Sequence, residues 1–263
     1  MNTRVHPGYR HAGYAHGDYE HYGRAGGPGH RTSPAAGGAV VAVARLVAAP
    51  VVGAMLGVGL GAWCRAEAER YSVMGVLADL GAPWIAAAFA AGVVAMVLFP
   101  STTRSTAGHF AAALAGATAG ASALVVATVV YYGPARTGGL TFDGALAATA
   151  VWSAIGIGVG TVFGAAGALW RSAPAVGGRV ACLVIVGTAI TAEAFFLLDT
   201  AASDALVRRV LVVVAVAGAA IPVLAGLRWQ ALVGVGAVAM LALPASLVAE
   251  ALSKAAYYSI AVL

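Results

Sequence analysis

The stretch GALAATAVWSAIGIGVGTVFGAAGALW, residues 144–170, carries no charged side chain from end to end. Coiled as an α-helix it rises about 1.5 Å per residue, which is enough to cross a hydrocarbon layer about 30 Å thick. Apolar residues occupy every face of that helix, the pattern of a segment surrounded by lipid and protein rather than by water. A spanning β-strand would instead alternate apolar and polar residues, and the stretch does not. The reading is therefore a transmembrane helix, and similar runs recur through the chain.

Working outward, we place spans near 40–63, 83–99, 109–132, 144–170, 180–198, 207–227 and 229–249. The breaks carry turn residues: Pro100 to Arg104, Gly133-Pro134 with Arg136, and Arg171 to Arg179 around Pro174, Gly177 and Gly178. The fold expected is an all-α, polytopic transmembrane helix bundle of about seven spans, with six as the alternative count. Composition agrees. Of the 263 residues 61% are hydrophobic, 10% are charged, and mean hydropathy is +0.88, whereas soluble domains carry about 25% charge. Three regions follow: a His/Tyr/Gly-rich tail over residues 1–38, a helical bundle over 39–250, and a short C-terminal segment over 251–263.

The net charge of +5 does not point to nucleic acid, because the basic residues sit at span ends rather than in one patch. Their distribution favours a cytoplasmic N-terminus in the cell membrane. Arg4, Arg10, Arg24, Arg31, Arg45, Arg104, Arg171, Arg179 and Arg228 then lie inside, and Arg65, Arg70, Arg136, Arg208, Arg209 and Lys254 outside. Trp63, Trp84, Trp170 and Trp229 fall at the expected interfaces, where an indole buries its ring and hydrates its N–H. Cys64 and Cys182 fall at opposite membrane faces and read as buried apolar fillers, not as a disulfide or ligands. Arginine is used almost to the exclusion of lysine (Lys254 alone), and with the abundance of alanine, glycine and valine this points to a high-GC bacterial genome.

Two glycine ladders stand out. Gly53, Gly57 and Gly61 recur by four in the first span, and Gly156, Gly160 and Gly164 do so in the fourth. Spacing by four puts each set on one helix face, where missing side chains let another backbone approach closely. The two ladders run in opposite directions, which also raises an inverted repeat as a transporter-like reading.

One acid lies within a span. Glu193, in GTAITAEAFFLLD, is outward of the middle of the fifth span. Placing an ionisable group there costs about 2.5–3.5 kcal/mol, so it should face the bundle and find a partner. Candidate neighbours are Ser153 and Thr149 of span four and Tyr131 and Tyr132 at the outer end of span three. One reading is a proton- or cation-linked site; the other is a hydrogen-bonded glutamic acid that ties helices together.

Catalytic patterns are missing. There is no HExxH, GxSxG or Walker loop, and His109 is the lone histidine beyond the tail. We expect no enzyme activity, no cofactor and no catalytic residue. In the tail, His6, His11, His16 and His21 recur every fifth residue among glycines. Its low apolar content reads as a disordered segment. Transition-metal capture by these histidines is the alternative, and would be unselective without groups to orient the rings.

Four stretches, PWIAAAFAAG (83–92), ATVVYYG (127–133), VGTVFGAAGALWR (159–171) and VGTAITAEAFFLL (186–198), resemble an uncharacterised family of actinobacterial multi-pass membrane proteins, a domain of unknown function. The resemblance covers roughly residues 45–230, with the Tyr131-Tyr132 pair and Ala192-Glu193 its most telling parts. It departs at Ala194, where that family has glycine. It implies an integral membrane location and supplies no activity, cofactor or catalytic residue. Two functions stay open. One is a small-solute or ion permease, or its membrane-embedded substrate-binding subunit, with Glu193 lining the site. The other is a non-catalytic accessory or scaffold protein packed through its glycine ladders. The partners expected are the lipid bilayer and a membrane-protein partner or second copy, with no nucleic acid.

Overall fold

A computed structural model describes residues 34–68, 70–98, 106–133, 142–200, 204–226 and 229–262. The tail with its histidines, and the loops holding Arg104, Arg136 and Arg228, lie outside the described residues. Among the described residues eight α-helices follow one another: α1 (Pro34–Glu67), α2 (Val73–Ala78), α3 (Ala82–Leu98), α4 (Thr106–Tyr132), α5 (Phe142–Ser172), α6 (Val176–Thr200), α7 (Ala205–Ala220) and α8 (Trp229–Val262). A short 3₁₀ turn, Ile221–Ala225, extends α7. Among the described residues, six helices are long and apolar enough to cross a membrane: α1, α4, α5, α6, α8, and α7 with its 3₁₀ extension. The chain is thus a multi-pass integral membrane protein, and α3, with 17 residues, supplies a seventh, shorter apolar helix.

The expected spans coincide with these helices closely at most ends. Three features were not anticipated. The hexapeptide helix α2 forms between the first two spans, nucleated where the Ser72 hydroxyl accepts the Gly75 N–H at 3.0 Å. Helix α8 runs unbroken from Trp229 to Val262 despite Pro244, past the end expected for the last span. The end of α7 is built by Pro222, which starts the 3₁₀ turn, and by Gly226 at φ +110°, a conformation that side chains with a Cβ rarely adopt.

The bundle is packed with small residues inside and large ones outside. Ala88, Ala91, Ala112, Ala119, Ala123 and Ala127 are fully enclosed, while Met55, Phe110, Val213, Leu232 and Met240 face outward. In water such a surface would be an aggregation hazard. In lipid it is the expected arrangement, since bilayer tails solvate large aliphatic groups and close helix approach selects small ones.

Helix α4 is the hub, making its most extensive contacts with α5 and α1. An added Cβ at Gly53, Gly57 or Gly61 would run into the carbonyl of Ala119, Ala123 or Ala127 respectively. The first ladder is therefore a register of glycine against alanine, advancing by four on both helices. The second ladder meets another face of the same helix: Gly160 packs on Gly120, Gly164 on Gly116 and Gly120, and Gly156 on Leu124. Gly92 of α3 abuts Gly164, and Gly167 abuts Phe89, so α3 closes on α5 by the same means. The likeness of the two ladders follows from a shared task, gripping α4 from two sides, and needs no inverted repeat to account for it. Ser122 of α4 also donates to the Pro50 carbonyl of α1 at 2.8 Å. Around α6 the packing changes character: Leu183, Val186, Ile190, Leu211 and Val214 form a core of larger side chains.

Candidate functional site

Helix α3 begins beside Glu193, about two turns short of the end of α6 at Thr200. After α1 stops at Glu67, the chain turns through α2 and starts α3 at Ala82, against the flank of α6. The contact point on α6 is Glu193, seven residues before Thr200, or about 10 Å down the helix axis. The first-turn amides of such a helix have no intrahelical carbonyl to accept them, and in lipid no water would take its place. Pro83 removes one of those donors outright.

Glu193 answers the others. Its Oε1 accepts the Gly81 N–H, and the Ala82 N–H is directed at the same carboxylate. Gly81 in turn offers its carbonyl to the Ile85 N–H at 2.9 Å, the first hydrogen bond of α3. Glu193 thus supplies from another helix the oxygen that a capping residue ordinarily supplies from its own chain. A Cβ on residue 81 would sit 2.9 Å from Oε1 and 3.2 Å from Cδ, so glycine is the residue that lets the carboxylate lie against the backbone. Although the residue as a whole is half-buried, Oε2 is buried and has no hydrogen-bond partner.

The neighbours expected from sequence do not supply the bond. Thr149 donates to Ala145 of its own helix at 2.7 Å, the usual fate of a threonine inside a helix, and Ser153 lies half-buried one turn further along α5. Tyr131 does reach the same corner. Its ring meets Trp84, in the first turn of α3, edge-on at 5.9 Å, and stacks edge-to-face on Tyr132 at 4.8 Å. Asp79, at the end of α2, is close enough for its charge to act on both Tyr131 and Cys64, and burial pushes the Asp79 carboxyl above its ordinary range. Cys64 and Cys182 are both free and buried.

A second polar contact, unread in the sequence, holds the same end of the bundle. The Tyr71 hydroxyl donates to Asp204, 3.1 Å from Oδ1 and 3.0 Å from Oδ2. Asp204 is the N-cap of α7, accepting from Leu206 N–H at 2.8 Å and Val207 N–H at 3.1 Å. The Val207 amide, then the Tyr71 hydroxyl and the Leu206 amide, hold the Asp204 carboxyl below its usual range. Arg65 adds a long contact, 3.4 Å, from the end of α1 to the Val130 carbonyl of α4.

Among the described residues no group of three or more histidine, cysteine or acidic side chains is gathered as a metal site. A cavity of about 580 Å³ opens between α6 and α8 beside Phe195 and Phe196, and Glu193 does not line it. No protein-family model, no curated protein sequence and no solved structure matches this chain.

Proposed function

We infer that this chain is a non-catalytic accessory or scaffold protein of the cell membrane, with its N-terminus in the cytoplasm. One observation carries the reading: the carboxylate of Glu193 is spent on the backbone of α3, in a helix-to-helix contact, and does not line the cavity between α6 and α8. A side chain that satisfies otherwise orphaned amides in lipid has a sufficient structural reason to be there. The glycine–alanine registers around α4 support the same view, since they set α1, α4 and α5 at close fixed separations suited to presenting a rigid outer surface. That surface would meet a second copy or another membrane protein. The resemblance to an uncharacterised actinobacterial membrane family fits this reading and adds no activity to it.

A second reading, a permease for protons or small cations, is favoured by the partnerless buried Oε2 of Glu193. The two separate in proteoliposomes. Under the scaffold reading Glu193→Gln is as stable as wild type, because its amide oxygen still accepts the Gly81 N–H. Glu193→Leu orphans that N–H and loses about 1–3 kcal/mol of stability. Neither wild type nor Glu193→Gln dissipates an imposed pH or cation gradient. Gradient dissipation by wild type that Glu193→Gln abolishes would sink the scaffold reading and support the permease.

A further inference from the structure

Three aromatic rings gather where α1 and α4 finish and α3 begins. Trp84 comes from the first turn of α3, and Tyr131 and Tyr132 close α4. The rings of Trp84 and Tyr131 stand 82° apart with centroids at 5.9 Å, and those of Tyr131 and Tyr132 stand 83° apart at 4.8 Å. Successive rings at right angles form the walls of a box rather than a flat stack. All three residues are half-buried, so each keeps an uncovered part. Tryptophan and tyrosine are common at membrane faces for a general reason, the fit of an amphipathic ring to the headgroup layer. A carboxylate beside the rings is what sets this corner apart.

Asp79 ends α2, just ahead of Gly81, and its charge acts on Tyr131 and Cys64. Its backbone N–H is used within α2, on the Gly75 and Leu77 carbonyls, whereas the residue itself is exposed. The protein around the carboxyl nonetheless holds it above its ordinary range, and no basic side chain pulls it back. The two arginines nearest in the chain face other acceptors. Arg65 reaches the Val130 carbonyl at 3.4 Å, and Arg70 the Glu67 carboxylate at 2.7 Å. A carboxylate and three electron-rich ring faces are thus assembled, with no ion pair to Asp79 among the described residues.

Such a group attracts a cation that lies within about 6 Å of the ring centroids. The class of cation follows from the donors and acceptors present. A metal ion replaces its water with several oxygen, nitrogen or sulfur ligands, and among the described residues no group of three or more histidine, cysteine or acidic side chains is gathered. A primary ammonium brings three N–H donors, each needing an acceptor. A quaternary ammonium brings none, and its methyl shell suits the ring faces. We propose that Trp84, Tyr131, Tyr132 and Asp79 bind a quaternary ammonium group, choline being the simplest bearer. The rings enclose the methyl groups, and the carboxylate takes the open side. The group comes as a free solute or as the headgroup of a choline lipid, and its chemistry at this corner is the same. The site uses neither Glu193 nor the glycine ladders, so it stands or falls apart from the scaffold reading.

The test is isothermal titration of the full-length protein in maltoside detergent, with choline and with its uncharged analogue, in which a tert-butyl group replaces the trimethylammonium. The expected result is saturable, one-site binding of choline and none of the analogue. Tyr131→Phe, which keeps the ring, should retain that binding, and Tyr131→Leu should remove it. Asp79→Asn should weaken it about tenfold, the worth of one charge contact near a protein surface. Because asparagine relieves a crowded charge, that variant should melt no lower than wild type, which separates lost binding from lost fold. Repeating the titration in nanodiscs distinguishes the two sources. Choline excluded by phosphatidylcholine discs but bound in phosphatidylglycerol discs identifies a lipid headgroup, and equal affinity in both identifies a free solute. No saturable choline binding by wild type, equal uptake of the analogue, or an affinity that Asp79→Asn leaves unchanged would overturn the proposal and leave the rings as an ordinary interface belt.

Discussion

At the scale of single residues, the side chains that matter most are acids answering helix N-termini. Glu193 was legible as the exceptional charge in an apolar run, but its partner was not. Hydroxyls at similar depth, on Ser153 and Thr149, are the partners the sequence suggests, whereas the partner is the backbone of Gly81, which has no side chain to announce itself. The one available signal was Gly81-Ala82-Pro83, punctuation for a helix start at a place that would lie below the membrane surface. Asp204 does the same work for α7 in water-accessible surroundings, and there pH gives a direct handle. Its carboxyl is held below its usual value in the folded protein, so the stabilisation it contributes is complete above the unfolded-state pKa of about 3.9. That stabilisation fades as pH falls through the lower, folded value. Thermal unfolding in detergent from neutral to strongly acid pH should therefore show wild type losing stability more steeply in acid than Asp204→Asn, which keeps a capping oxygen and cannot titrate. Parallel curves would show that the Tyr71–Asp204 contact contributes nothing measurable.

At the scale of helices, glycines of similar local sequence separate into two kinds. Gly61 and Gly160 lie against neighbouring backbone, with an added Cβ reaching to 2.5 Å from the Ala127 and Gly120 carbonyls. Gly59 and Gly158, two residues away on the same helices, have nothing within 4 Å. Substituting alanine at Gly61 or Gly160 should force α4 away and cost about 1–3 kcal/mol. The same change at Gly59 or Gly158 should be neutral or stabilising by up to about 1 kcal/mol, because alanine is the better helix former. Denaturation in mixed micelles decides it: four variants of equal stability would mean that the ladders are compositional accidents. Spacing by four made the ladders readable. That α1 and α5 both close on α4 was not readable, because the matching surface of α4 is written in alanine as well as in the Gly116–Gly120 pair, and alanine marks no face in a chain so rich in it.

At the scale of the whole molecule, alternation of the helices puts Tyr71 and Asp204 at one end of the bundle and Gly177, in the first turn of α6, at the other. With the buried Cys64 and Cys182 replaced by serine, Tyr71→Cys should react with a membrane-impermeant maleimide on intact cells. Gly177→Cys should react only after permeabilisation. The reverse pattern would invert the orientation proposed from the arginines; reaction of both on intact cells would break the seven-helix path itself. The path depends on α3 crossing, although that helix is shorter than the roughly 20 residues a span usually needs. Its late start is made tolerable by the α2 turn and by the carboxylate of Glu193.

The sequence alone determined that this chain is an integral membrane protein built of apolar helices, and where most of them break, because length, apolarity and turn residues are local properties and the bilayer imposes its thickness on each segment separately. The tertiary structure alone decided which helices touch and which groups the carboxylate of Glu193 meets. In lipid the hydrophobic effect does not sort one helix face from another. Contact partners are then chosen by small-residue fit and by the need of each backbone amide for an acceptor, and both depend on residues far apart in the chain: Gly61 with Ala127, Gly160 with Gly120, and Glu193 with the start of α3.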